Sequence, residues 1–358
     1  MTGFPGFLGS ALLPRILCRT GADAVCLVQP KFAALARRRA EELVEAEPAL
    51  RGRIALVEGD ITRPGLGLQP ADLDRVTGDT TELWHLAAVY DLAVGRELGM
   101  RVNVEGTRNV LDVAERCHGL RRLQYFSTCY VSGRYTGPFG EDDLQVGARF
   151  NNFYEETKHL AEVEVRRRMA RGLPATIYRP SIVVGDSATG ETQKYDGPYF
   201  LFQWLMRQRR LAVVPALVDP TMVRFNVVPR DFVIAAVDRL AGLPESEGRT
   251  YQLADPRPPT VAELVGMSGA ELERRVITVR VPRRTARRAM ASVPGVYRLV
   301  RIPAEAVDYF AHPTHYLTDH SRAALAGSGI AAPPLASYLG RLLAFMRAHP
   351  EVGVEAMA

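Results

Sequence analysis

From residue 6 to about residue 180, short apolar runs bounded by turn residues alternate with longer segments whose apolar positions recur every three or four residues. The first pattern suits buried strands and the second suits helices packed on one face, so the alternation predicts βαβ units on a parallel sheet. Strands are predicted at AVCLVQ (24–29), IALVEGDI (54–61), ELWHLAAV (82–89), LQYFSTCYVS (123–132) and ATIYRPSIVV (175–184). Helices fit between them at GSALLPRILCRT, FAALARRRAEELVEAE, the segment around VNVEGTRNVLDVAERC, and NNFYEETKHLAEVEVRRRMARG. Past Gly185 comes a glycine- and tyrosine-rich stretch, SATGETQKYDGPYF, then a helix near FLFQWLMRQRR. The sheet pattern then resumes with FNVVPRDFVIAAVDRLAG and TYQLA (250–254), and helical stretches return at AELVGMSGAELERR and ASYLGRLLAFMRAH.

Composition narrows the class. The chain has 358 residues, 47% hydrophobic and 24% charged, which suits one large unit or a domain with an appended part. No stretch approaches the roughly 20 apolar residues that span a bilayer. Cys18, Cys26, Cys117 and Cys129 stand far apart with no Cys-x-x-Cys pair, which argues against a disulfide framework or a cysteine-rich zinc site and fits the cytoplasm. A net charge of +5 suits an anionic ligand but does not by itself imply nucleic acid.

The chemistry-bearing residues form a series. Gly3, Gly6 and Gly9 in TGFPGFLG give a glycine turn whose amides and following helix can approach a pyrophosphate, although only Met1 precedes it. The first strand is therefore expected to be truncated, with the native start upstream, and its neighbours to be left with exposed backbone groups. Tyr154 and Lys158 are spaced as Tyr-x-x-x-Lys, on neighbouring turns of one helix face. There the ammonium is expected to lower the phenol pKa and ready it to pass a proton to a carbonyl oxygen. His312, His315 and His320 in HPTHYLTDH match no catalytic metal spacing, and no metal is expected. Trp84 and Trp204 read as packing residues.

Between the glycine turn and the Tyr/Lys pair lie an apolar strand ending in Asp60-Ile61, His85-Leu-Ala-Ala88, Asn103 in VNVEGTRNVL, and Ser-Thr-Cys-Tyr-Val-Ser-Gly at 127–133; Tyr-Arg-Pro-Ser at 178–181 follows. In this order they resemble the extended short-chain dehydrogenase/reductases over nearly all of the chain, most strongly from 1 to 185. TGFPGFLG, STCYVSG and IYRPSIVVGDSATG running into KYDGPYF are most similar to fatty acyl-CoA reductases and thioester reductase domains, the male-sterility-type NAD-binding branch.

The resemblance implies an α/β fold: a Rossmann-type doubly wound parallel sheet with a smaller, interleaved C-terminal substrate domain. Residues 1–185 and 225–255 would form the dinucleotide-binding part, and 186–224 and 256–358 the substrate-binding region, with FLFQWLM and VYRLV as apolar lining. It implies Thr128, Tyr154 and Lys158 as the catalytic set, with Tyr154 the acid and Lys158 also holding the nicotinamide ribose. Thr128 is preferred over Ser127 because it lies five residues before Gly133; adjacent strand residues face opposite ways, so both stay open. Gly3, Gly6, Phe7, Leu8 and Gly9 would line the phosphates, Asp60 and Ile61 the adenine, Ala87, Ala88 and Asn103 the middle of the cofactor, and Pro180 and Ser181 the nicotinamide. CLVQPKFAALARRR lacks the acid that an NAD enzyme keeps after its second strand, and offers Lys31, Arg37 and Arg38 instead, which favours NADP(H) over NAD(H). Gln29 stands where the family pattern more often has Arg.

The activity implied is NADPH-dependent reduction of an acyl thioester, on coenzyme A or an acyl carrier protein, to an aldehyde and onward to an alcohol. The alternatives are a nucleotide-sugar epimerase or dehydratase, a ketone or hydroxysteroid-type reductase, and a non-catalytic dinucleotide-binding protein. Residues 274–302 mix arginines with apolar residues, including Arg283, Arg284, Arg287 and Arg288. They read either as a solvated face or as a docking surface for coenzyme A phosphates, an acidic carrier or a membrane surface. A homodimer stays open.

Overall fold

The computed structural model describes residues 1–216, 219–281, 310 and 312–353. VYRLV and Arg283, Arg284, Arg287 and Arg288 lie outside the described residues, so only the first part of the 274–302 segment has a described structure.

In chain order the strands are β1 (Ala24–Val28), β2 (Ile54–Glu58), β3 (Glu82–His85), β4 (Arg122–Phe126), β5 (Gly137–Phe139), β6 (Ala175–Pro180), β7 (Ile182–Val184), β8 (Leu211–Ala216), β9 (Val227–Pro229), β10 (Thr250–Leu253), β11 (Arg275–Arg280) and β12 (Thr314–Tyr316). β1 pairs with β2, and β3, β4, β6 and β10 pair in that order, all parallel. Met1 and Thr2 join the two groups. Thr2 bridges in parallel to Leu27 of β1 and His85 of β3. Its N–H donates to the Trp84 carbonyl at 2.8 Å, Leu27 N–H donates to the Met1 carbonyl at 2.9 Å, and Leu86 N–H to the Thr2 carbonyl at 3.3 Å. Met1 and Thr2 thus bridge the gap expected beside the glycine turn. The chain's winding reverses about this point, and in such sheets the crevice at the carboxyl ends of the strands takes the ligand.

Period-two alternation places the layers. On β4 and β6, Leu123, Tyr125, Ala175 and Ile177 point into one core, with α5 (Gly106–Arg116) and α6 (Phe153–Met169). Phe126 and Tyr178 point into the other, with α1 (Phe7–Thr20) and α8 (Arg230–Ala241). α2 (Ala33–Ala46) covers the outer β1–β2 edge with Ala36 fully buried. A further core gathers α7 (Tyr199–Arg207), β8 and α9 (Val261–Glu271) with the helix Leu339–Ala348.

Several predicted elements are shorter or divided. ATIYRPSIVV breaks at Ser181 into β6, which pairs with β4 and β10, and β7, which pairs with β9 instead. LQYFSTCYVS leaves the sheet after Phe126 and closes a 3₁₀ turn at Cys129–Ser132, started by the Thr128 hydroxyl accepting from Tyr130 N–H. RRVITVR, read as a basic face, contains β11, paired with β8.

Candidate active site

A cavity of about 730 Å³ runs along the carboxyl ends of the strands, from the glycine turn to the start of α6. At one end, Gly3 has φ +89°, and a Cβ there would lie 2.7 Å from the Leu86 side chain. A Cβ on Gly9 would stand 2.4 Å from the Gly3 carbonyl oxygen. The turn therefore closes only on glycine, and it aims the first turn of α1 at the cavity. Gly6 is the N-cap and brings no side-chain cap, so nothing from its own side chain fills the approach to the helix N-terminus.

α6 begins where Asn152 accepts from Glu155 N–H at 2.9 Å, with Glu155 and Glu156 in its first turn and Arg166, Arg167 and Arg168 in its last, matching the helix dipole at both ends. Tyr154 and Lys158 thereby face the cavity beside the end of β4. Thr128 lies on the same cavity wall as Tyr154. Burial raises the Tyr154 pKa, and Thr128 only partly offsets this. The expected fall is not seen, because the Lys158 ammonium donates to the Phe126 carbonyl at 2.7 Å and the Tyr125 hydroxyl at 3.4 Å. Burial lowers Lys158 itself to about 8, with Glu162 acting in the opposite sense.

Ser127 and Thr128 part company. Ser127 Oγ donates to Glu162 Oε2 at 2.6 Å, whereas Thr128 Oγ1 sits with Tyr154 and reaches the Pro180 carbonyl at 3.4 Å. Glu162 and Arg179 are both fully buried, 2.6 Å apart, and Arg166 is a third partner of the same carboxylate at 2.9 Å. These cations hold the Glu162 carboxyl at about 2 although burial pushes it up.

Behind Lys158 runs a buried chain of polar groups. Thr107 Oγ1 donates to the Asn103 carbonyl at 2.6 Å, so it accepts from His85 Nε2 at 3.0 Å. His85 Nδ1 then accepts from Thr2 Oγ1 at 2.8 Å, which assigns the proton to Nε2. Burial and the charge of Lys158 push His85 down to about 3, so it is neutral.

Most residues expected to hold a dinucleotide line this one cavity: Gly3, Gly6, Phe7, Leu8, Gly9, Lys31, Asp60, Ile61, Ala87, Ala88, Tyr154, Lys158, Pro180 and Ser181. Two do not. Asn103 lies behind the wall in a π-helical turn, Met100–Glu105, where its amide holds both backbone groups of Val89 and the Thr157 hydroxyl. Arg37 is exposed on α2 outside the lining, because the helix turns it away from the strand end. Arg63, which no spacing rule singled out, lines the cavity with Asp60 instead. Bonds from Thr62, with Gln29 and Arg63 acting in the same sense, hold Asp60 below its usual range despite burial. Leu201, Phe202 and Leu205 of FLFQWLM pack into a core rather than lining the cavity. Among the described residues no cluster of metal-ligating side chains forms; His312 bonds the Tyr316 hydroxyl at 2.8 Å, and His320 faces Glu141 and Asp142.

The residues fit a dinucleotide. Ser181 Oγ is buried without a hydrogen-bond partner on the wall of the same cavity that the α1 N-terminus faces. Buried polar atoms are nearly always paired, so this one marks a place where a polar ligand group belongs.

The sequence profile of the NAD-binding family described as male sterility protein matches residues 1–237. The chain belongs to that family. The family shows in relatives of very different size. A linear gramicidin synthase from Brevibacillus parabrevis is 28% identical over 287 residues, 76% of this chain but 6% of that protein. Glycine betaine reductase ATRR of Emericella nidulans is 29% identical over 274 residues, 72% of this chain and 21% of that protein. The chain thus spans about a fifth or less of these two relatives. Among solved structures, the terminal R domain from the myxalamid PKS-NRPS biosynthetic pathway superposes with a TM-score of 0.82 at 27% identity, covering 98% of this chain and 90% of that one. The family fold is the Rossmann-type sheet described above, and no helix among the described residues is long and apolar enough to cross a membrane.

Proposed function

We propose that this chain reduces acyl thioesters to aldehydes with NADPH. The observation that carries the reading is that Thr128, Tyr154 and Lys158 share the wall of a dinucleotide-sized cavity, with Lys158 one turn past Tyr154 along α6. Bound reduced nicotinamide supplies the hydride. The two hydroxyls converge on one point, where a thioester carbonyl oxygen accepts from both as negative charge develops on it. Burial keeps the Tyr154 phenol protonated, so it serves as the acid that completes the hemithioacetal. Lys158, anchored on the Phe126 carbonyl, stabilises the phenolate left behind and meets the nicotinamide ribose. Collapse of the hemithioacetal returns the hydroxyl proton to the Tyr154 phenolate, breaks the carbon–sulfur bond and releases aldehyde and thiolate, which takes a proton from solvent.

Lys31 and Arg63 in the cavity lining support NADPH, since no acid is presented to the ribose by β1. We assign 1–185 and 225–255 to dinucleotide binding and 186–224 with 256–358 to the substrate side. The test is turnover of acyl-CoAs, N-acetylcysteamine thioesters, ketones and nucleotide sugars with NADPH and NADH, following loss of the reduced cofactor and identifying products. Aldehyde or alcohol from thioesters, with NADPH preferred at least about tenfold, is expected; reduction of ketones alone, or a tightly retained NAD with sugar turnover, would replace this reading.

A further inference from the structure

Lysine and arginine together number 45, and only three are lysine: Lys31, Lys158 and Lys194. All three line the cavity. Arginine serves everywhere else, so these positions call for a compact ammonium on a flexible stem rather than a planar fork. Lys31 stands at the adenine end and Lys158 beside Tyr154; the mechanism does not use Lys194.

Lys194 lies at the mouth, its side chain 13% exposed, between two loops. Its ammonium is 2.9 Å from Asp196 Oδ2 and 4.7 Å from the centre of the Tyr90 ring. Burial and the Asp196 carboxylate push Tyr90 up to about 12, and both groups are close enough to bear on Tyr154. One carboxylate oxygen and one ring leave an ammonium with donor capacity to spare, since it carries three N–H groups. Tyr90 and Leu98, each 38% exposed, form the open rim beside it.

We propose that Lys194 is a specificity-determining residue that donates a hydrogen bond to an amide carbonyl on the thiol side of the substrate. The inference rests on the thioester reading. A thioester held on a carrier outside the protein must bring its thiol arm through the mouth, so a donor there meets the arm whatever acyl group lies deeper. Asp196 and Tyr90 hold the ammonium where the arm passes, and the partial burial of that ammonium strengthens its bond to a neutral acceptor.

The test compares an N-acetylcysteamine thioester with an S-ethyl thioester of the same acid, which lacks the amide, on wild type, Lys194→Met and Lys194→Gln. Loss of a charge-assisted bond predicts a rise in KM of about tenfold or more for the amide-bearing thioester in Lys194→Met, a smaller rise in Lys194→Gln, and less than about twofold for the S-ethyl thioester. A non-reducible S-ethyl N-acetylcysteamine thioether, titrated calorimetrically, is expected to lose affinity in parallel. If Lys194→Met does not fold, Lys194→Gln carries the comparison. Equal effects on the two thioesters, or none, overturn the proposal. Wild type inactive on both thioesters refutes the thioester reading itself, which separates the two failures.

Discussion

At the residue scale, the decisive contrast is between two neighbours. Ser127 and Thr128 are adjacent hydroxyls of which one is committed to Glu162 and the other stands with Tyr154 on the cavity wall. Thr128→Ala is expected to lower kcat by about a hundredfold with the fold intact, whereas Ser127→Ala should cost only a few-fold, through Glu162. Single-turnover reduction of an acyl-CoA distinguishes them, and full activity in Thr128→Ala would return the role to Ser127. Lys158 adds a pH prediction. Its ammonium form is the working form and its pKa is lowered to about 8, so kcat should fall as pH rises through about 8. The stability effect has the opposite sign. Between about 8 and 10.5 the unfolded chain binds more protons at this residue than the folded one, so its contribution to stability rises with pH there. The Tyr-x-x-x-Lys spacing identified this pair, but not the direction of its pKa shifts, because burial is a property of what packs around α6.

At the element scale, Glu162 ties β4, α6 and β6 together through Ser127, its own helix and Arg179. Each tie lies next to a proposed site residue: Ser127 beside Thr128, Glu162 one turn past Lys158, and Arg179 beside Pro180. Glu162→Gln leaves a buried guanidinium without its charge partner, and is expected to cost about 3–5 kcal/mol, read from urea unfolding. Glu162→Gln with Arg179→Met removes both charges and should recover much of that loss. A loss below about 1 kcal/mol in the single variant would show that the ion pair is not the tie. The same carboxylate predicts acid sensitivity. Its contribution is present above its unfolded value of 4.5 and is lost as pH falls through about 2. Strand and helix positions were legible because alternation and three-to-four spacing are local. Their ends were not, since β7 leaves the β6 ladder to pair with β9, a partner about 45 residues along the chain.

At the scale of the whole molecule, the cavity draws its walls from the glycine turn, both loops beyond β1 and β2, the β4 and β6 ends and the 190s loop. A ligand filling it binds only the folded state, so NADPH at a hundredfold excess over its dissociation constant should add about 2.7 kcal/mol of stability. Differential scanning fluorimetry is expected to show a rise in Tm with NADPH larger than with NADH. Equal shifts would place Lys31 and Arg63 outside the recognition of the cofactor. By itself, the sequence determined the parallel α/β architecture, the glycine turn and the Tyr154–Lys158 spacing, because periodicity, turn chemistry and motif order are written along the chain. Only the tertiary structure decided that Met1 and Thr2 bridge the sheet, that Asn103 and Arg37 stand outside the lining, that Arg63 stands inside it, and that all three lysines meet in one cavity. Those outcomes depend on which segments pack side by side, and burial, hydrogen-bond partners and cavity walls are made by residues scores of positions apart.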